Sequence, residues 1–176
     1  PYGDGCFCEN CKKGFRSYLK EKFGSTEKLN KAWGMARWSL EYNSFEEIEP
    51  PYPKQWRHPS LRKAWREFHY GQIKSYVEEQ AEILHNYGCQ NIGTNMMQHN
   101  SLSYYKLSEK LDVAQYNHYD TAERLHDTAF AYDFVRSIKN KPFWIMETQV
   151  GWNGSEYAEN GYRPEGACYA NTWLPI

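Results

Sequence analysis

Apolar positions along the chain recur with two different periods. Phe15, Tyr18, Leu19 and Phe23 stand at helical spacing and Gly24 follows, which predicts a helix from near Cys11 that stops at Gly24. Ser25 suits the N-cap of a second helix, with Leu29, Ala32 and Trp33 on one face and Gly34 at its end. Ser44-Phe45-Glu46-Glu47 has the capping-box pattern and predicts a short helical turn, after which Glu49-Pro50-Pro51-Tyr52-Pro53 excludes regular structure. A long helix is expected from about Ser60 to Tyr87, with Leu61, Ala64, Trp65, Phe68, Ile73, Tyr76, Val77 and Leu84 as its apolar face. Gly88 terminates it.

Beyond Gly88 the pattern changes. Asn91–Asn95 is strand-like, a short helix is expected around Ser103–Lys110, and Val113–Tyr116 reads as a second strand. Asp120-Thr121-Ala122-Glu123 is a further capping box, opening a helix through Ile138. Lys141-Pro142 resets the chain to extended, and Phe143-Trp144-Ile145-Met146 reads as a buried third strand. Alternating helices and strands mark a parallel α/β fold. All three strands end in polar residues: Thr94-Asn95, Asn117-His118-Tyr119 and Glu147-Thr148-Gln149. In a (β/α)8 barrel such ends form the catalytic face. A doubly wound sheet has the same alternation, but no Gly-rich phosphate loop follows any strand. The expected architecture is a partial (β/α)8 TIM barrel. Residues 1–59 form a cysteine-cluster and helical excursion, and residues 60–176 the βα repeats.

Composition narrows the function. The 176 residues carry 21 Lys+Arg against 22 Asp+Glu, a net charge of −1 with no basic block, which argues against nucleic acid and membrane surfaces as partners. No apolar run approaches the roughly 20 residues of a membrane span. The start at Pro1-Tyr2-Gly3 and the apolar end at Trp173-Leu174-Pro175-Ile176 suggest an internal segment of a longer protein.

Glu147 is the first catalytic candidate, because it follows four apolar residues and stands where a strand should end. A carboxylate there is solvated, paired or used. Its structural alternative is a Glu bonded to an Arg or a backbone amide. As the nucleophile of a retaining glycosidase it would need a second carboxylic acid roughly 5–5.5 Å away. No other Asp or Glu follows an apolar strand in this way; Asp120 reads as a helix cap and Asp112 precedes its strand.

Five cysteines are present, three of them as Cys6-x-Cys8-x-x-Cys11. Three soft donors in one tight turn suit tetrahedral Zn²⁺ in a structural role, with Cys168, Cys89 or an upstream residue as fourth ligand. The alternative is three reduced surface thiols. Among 7 Trp, Trp33 and Trp65 at helical spacing read as core, whereas Trp152 sits in the Gly-rich loop Val150-Gly151-Trp152-Asn153-Gly154 and is free to stack on a sugar ring. Tyr119 and Asn95, at strand ends, join Trp152 as substrate-binding candidates. His118 is the one histidine that follows a strand, equally readable as structural or as a ligand.

In this order the residues resemble glycoside hydrolase family 42, the β-galactosidases. Phe15, Tyr18-Leu19, Phe23-Gly24, Leu29-Asn30, Ala32-Trp33-Gly34 and Trp38-Ser39 follow one family stretch, continued by Ile48-Glu49-Pro50 and His58-Pro59. Gly93-Thr94-Asn95-Met96 resembles a second strand end, and Phe143-Trp144-Ile145-Met146-Glu147 the strand that bears the nucleophile. Gly151-Trp152-Asn153 and Arg163-Pro164 follow in the expected order. The resemblance implies strands 5 to 7 of the barrel, Glu147 as nucleophile, and an acid/base Glu ahead of Pro1. It also implies structural zinc on Cys6, Cys8 and Cys11, with a further Cys upstream. A small β-galactoside is the implied substrate and a homo-oligomer, commonly a trimer, the implied assembly, while reduced cysteines with zinc point to the cytoplasm. Asn117-His118-Tyr119-Asp120 lacks the family's Asp and Pro, and Met35, Arg37 and Lys63-Ala64 with Glu67 also depart from it, marking a divergent member. Another sugar specificity, or a zinc-stabilised carbohydrate-binding module without catalysis, is the rival reading. The isolated segment is expected to be inactive, since three strands do not close a barrel.

Overall fold

The computed structural model describes residues 5–54, 56–96, 103–119, 125–148, 165–166 and 169. Two units divide the chain, Pro1–Ile73 and Lys74–Ile176.

In the first unit, helix α1 (Glu9–Phe23) ends at Gly24, whose φ of 76° places it in a region that favours glycine, and whose N–H donates to Lys20 O. Helix α2 (Thr26–Trp33) opens as expected on Ser25, whose hydroxyl oxygen accepts from the Lys28 N–H. Its left-handed Gly34 closes it. Helix α3 (Pro59–Asn86) contributes its first half. Phe15, Leu19, Leu29, Ile48, Leu61, Ala64, Trp65 and Phe68 form one buried cluster. The loop between α2 and α3 is held by side chains. Asn30 donates to Tyr42 O (2.8 Å) and accepts from Tyr42 N (3.0 Å), imitating a strand partner. Arg16 donates Nε to Ile48 O (3.1 Å) and Nη2 to Glu49 Oε1 (3.0 Å), while Lys12 also pairs with Glu49 (2.7 Å). The turn at Phe45–Glu47 is a 3-10 turn, and its box is shifted by one residue. Glu47 reaches back to Asn43 N (2.9 Å), and the Ser44 side chain caps nothing in it.

The second unit is built on a parallel sheet, β1 (Asn95–Met96), β2 (Gln115–Asn117) and β3 (Trp144–Glu147), in the order β1-β2-β3. The short helix α4 (Tyr104–Leu107) and helix α5 (Leu125–Lys139) supply the crossovers. Met96, Tyr104, Leu111, Tyr116, Tyr132, Val135 and Phe143 pack into the core with Ala81 of α3, and Val77 lies against it. Lys74 bridges Glu78 (2.7 Å) and Glu109 (2.8 Å), tying α3 to the turn after α4.

Four expectations change. α1 begins at Glu9, two residues ahead of Cys11, because extended Cys8 takes the N-cap position. The apolar face expected for α3 is too wide at its C-terminal end. Val77 and Ala81, four residues apart, form the row that meets the core, whereas Tyr76 (61% exposed) and Leu84 (42%) stand off that row. The third strand is not buried. Among the described residues β3 pairs only with β2, and alternation turns Phe143 and Ile145 inward but leaves Trp144 (44%) and Met146 (46%) exposed. β1 is also shorter than Asn91–Asn95. Asn91 has φ 59°, and Ile92 bonds to Asp112 through N (2.9 Å) and O (2.7 Å), so regular pairing starts only at Asn95.

Asp112 is thus a structural anchor ahead of β2. The Ile92 N–H, and the His85 ring at 3.1 Å, hold its carboxyl below the usual range. A depressed carboxyl stabilises the fold above its ordinary value of about 4 and ceases to do so as pH falls through the folded value. We expect Asp112→Asn in the full-length protein to lower the urea midpoint at pH 7 and to flatten its decline between about pH 5 and 3. An unchanged midpoint at pH 7 removes the anchor role.

Candidate functional site

The polar ends of the three strands converge. Asn117 of β2 stands in register with Glu147 of β3, at an irregularity between Tyr116 and Asn117, and the next amide, His118 N, donates to Glu147 O (2.8 Å). That irregularity sets the height of Glu147 on the sheet. Its carboxylate is exposed. Asn95 Nδ2, on the first residue of β1, donates to Oε1 (3.1 Å), and the Tyr119 hydroxyl donates to Oε2. The amide must present its NH₂ end, since an ionised carboxylate only accepts. Both donors are neutral, so neither cancels the negative charge. Each carboxylate oxygen keeps lone-pair capacity beyond its one bond, as a nucleophile, a base or an electrostatic stabiliser requires.

The floor beneath this carboxylate is packed. Asn117 is 8% exposed and His118 is 1% exposed, with the imidazole at 6.3 Å from the Tyr116 ring and 5.0 Å from Tyr132. His118 therefore joins the aromatic core and does not face the opening. Gly93 carries a second constraint. A Cβ there would lie 2.6 Å from the Gln115 side-chain amide, so a larger residue would have to displace the buried Gln115 side chain. Of the sequence candidates, Glu147, Asn95 and Tyr119 come together, whereas Trp152 and Cys168 lie outside the described residues. Trp65 is core and Trp33 packs edge-on against Phe23 (5.7 Å) as expected, while Trp56 is 70% exposed. The bonds from Asn95 and Tyr119 to Glu147 escaped the sequence reading. Their only trace in the sequence is that polar residues stand at Asn95, Asn117 and Glu147, on or beside the three extended segments.

A second cluster occupies the start of α1. The sulfurs of Cys6, Cys8 and Cys11 lie within 4.8 Å of one another. Tetrahedral zinc with bonds of about 2.3 Å spaces its sulfurs about 3.8 Å apart. Three soft, nearly converged donors fit such an ion. The loop is fastened by packing: Phe7 stacks between Tyr52 (5.3 Å) and Trp65 (5.2 Å), and Gly5, at φ 97°, has room for no side chain against the His69 ring. The thiols differ. Hydrogen bonds from the Cys11 backbone and from the other two thiols pull Cys8 down to about 7, while burial and its thiol neighbours push Cys11 up to about 12. No helix among the described residues is long and apolar enough to cross a membrane.

A parallel sheet with helical crossovers and a carboxylate at the carboxyl ends of its strands is the site arrangement of α/β enzymes. The chain belongs to glycoside hydrolase family 42, the beta-galactosidase family, whose profile matches residues 2–176. Beta-galactosidase YesZ of Bacillus licheniformis is 33% identical over 164 residues, which are 89% of this chain and 25% of that protein. Beta-galactosidase BgaA of Clostridium cellulovorans is 35% identical over 158 residues, covering 85% and 24%. The chain thus spans about a quarter of the length of these curated relatives. Among solved structures, the beta-galactosidase of the psychrophilic Marinomonas ef1 superposes with a TM-score of 0.85 at 29% identity, covering 98% of this chain and 29% of that one. A catalytic glutamate-to-alanine mutant of Gan42B, a GH42 beta-galactosidase from G. stearothermophilus, gives 0.85 at 26% identity, covering 99% and 28%.

The opposite displacement of the two thiols has a direct readout. In metal-free protein at pH 7, iodoacetamide should modify Cys8 well before Cys11, by mass-spectrometric mapping, because only thiolate reacts. Equal rates would contradict the asymmetry.

Proposed function

We propose that the complete protein is a retaining β-glycosidase that hydrolyses terminal β-D-galactosides by double displacement, with Glu147 as nucleophile. The observation that carries this reading is the exposed Glu147 carboxylate at the end of β3, held on both oxygens by neutral donors. Family membership supports the same reaction, and so does a relative whose catalytic mutant removes a glutamate. On this reading the sheet is the segment of a (β/α)8 barrel around strands 5 to 7, and residues 1–59 form an excursion from it.

Glu147 attacks the anomeric carbon while a second carboxylic acid, placed ahead of Pro1 by the resemblance, protonates the departing glycosidic oxygen. A covalent galactosyl-enzyme forms. The same acid, now a carboxylate, then takes a proton from water, which displaces Glu147 from the anomeric carbon. The attacking group is the Glu147 carboxylate itself, and Asn95 and Tyr119 hold it by neutral hydrogen bonds that leave its negative charge uncompensated. Trp152, five residues beyond Glu147 in sequence, is assigned to stacking on the sugar.

Cys6, Cys8 and Cys11 would hold zinc in this protein, with a fourth ligand beyond them. Such an ion supplies a cross-link between the loop and α1, and no reactive water, since thiolates close its coordination. A small carbohydrate substrate and a cytoplasmic homo-oligomer, a trimer, complete the reading.

In the full-length enzyme, Glu147→Gln should lower kcat for a nitrophenyl β-galactoside on the order of 10³-fold or more while galactose still binds. Near-normal turnover would refute the nucleophile, and a panel of nitrophenyl glycosides tests the sugar. For the metal, about one zinc per chain should be released when the thiols are blocked, with loss of thermal stability. Zinc-free protein of unchanged stability would dismiss it.

A further inference from the structure

The geometry points to Asn95 as a positioning residue that fixes the reactive orientation of Glu147, rather than as a sugar ligand. This rests on the reading of Glu147 as nucleophile and adds to it. Asn95 lies 52 residues from Glu147 in sequence, and β2 stands between their strands. Nothing local brings the two side chains together. The pairing Asn95↔Gln115 and Met96↔Tyr116 sets the height of β1, and Gly93 just ahead of it passes close over the Gln115 side chain. On that fixed strand Asn95 is exposed, so its amide had water as an alternative partner, yet its Nδ2 lies 3.1 Å from Glu147 Oε1. Tyr119 takes the other oxygen. Two donors on two different oxygens restrain rotation about the terminal torsion of Glu147, which one donor alone leaves soft. A carboxylate so held meets the anomeric carbon along one line of approach, and misplacing a reacting group by about 1 Å costs about 10²-fold in rate.

The test uses the full-length enzyme, with Asn95→Ala and the near-isosteric Asn95→Asp, and a 2-deoxy-2-fluoro-galactosyl trapping reagent with peptide mapping. Wild-type protein should be trapped on Glu147. Both variants should then lose about 10²-fold in kcat and in trapping rate, with KM within about threefold. Circular dichroism of Asn95→Asp guards against misfolding, and loss of fold in both variants would count against a purely positional role. If Glu147 is trapped but the variants raise KM at unchanged kcat, Asn95 is a sugar ligand and the proposal falls. Trapping at another residue instead overturns the nucleophile itself, and is seen in the wild type before any variant is made.

Discussion

The parallel pairing of β1, β2 and β3 is the constraint on which the carboxylate site depends. Side chains alternate across a strand with a period of two, so a slip of one residue would exchange every inward group for an outward one. In the observed register Asn95, Gln115 and Trp144 share one row, and Met96, Tyr116 and Ile145 the next. The second row meets the core, where Met96 and Tyr116 are buried and Ile145 packs alongside. Burial of that row therefore also fixes where Asn95 and Glu147 emerge. The irregularity after Tyr116 then lifts Glu147 level with Asn117.

The first unit solves a different problem, holding a long irregular loop without strands. Its loop carbonyls and amides between α2 and α3 are met by Asn30 and Arg16, both rising from helices that are themselves anchored by Phe15, Leu19 and Leu29. Aromatic rings carry much of the packing. Phe15 meets Trp65 edge-on at 4.9 Å, and Trp65 in turn stacks on Phe7 beside the cysteines. The thiol loop is thus tied to the core by apolar contact as well as by any ion it holds. The exposed ion pairs, such as Lys22–Glu67 (2.6 Å), add less, since solvent and salt screen them.

Much of this was legible in the chain. Helix bodies are local objects, and Gly24, Gly34 and Gly88 stopped them where the 3.6-residue period broke. Glu147 announced itself as a charge directly after four apolar residues. The short strands were less legible. Asn91 in a left-handed conformation and Ile92 bonded to Asp112 delay β1, and neither shows in a hydrophobic pattern. Nor does a pattern distinguish a strand covered on both faces from one with a single neighbour, which is why Trp144 and Met146 read as buried and are exposed.

By itself the sequence determined which segments fold as helices, which three turn extended, that β2 and β3 end polar, and which thiols are close enough to share an ion. These follow from interactions within a few residues of chain. Tertiary structure alone decided that Asn95 and Tyr119 bond to Glu147, that His118 turns into the aromatic core, and which row of α3 meets the sheet. Those outcomes join groups tens of residues apart, and they exist only once backbone pairing and burial have chosen a register.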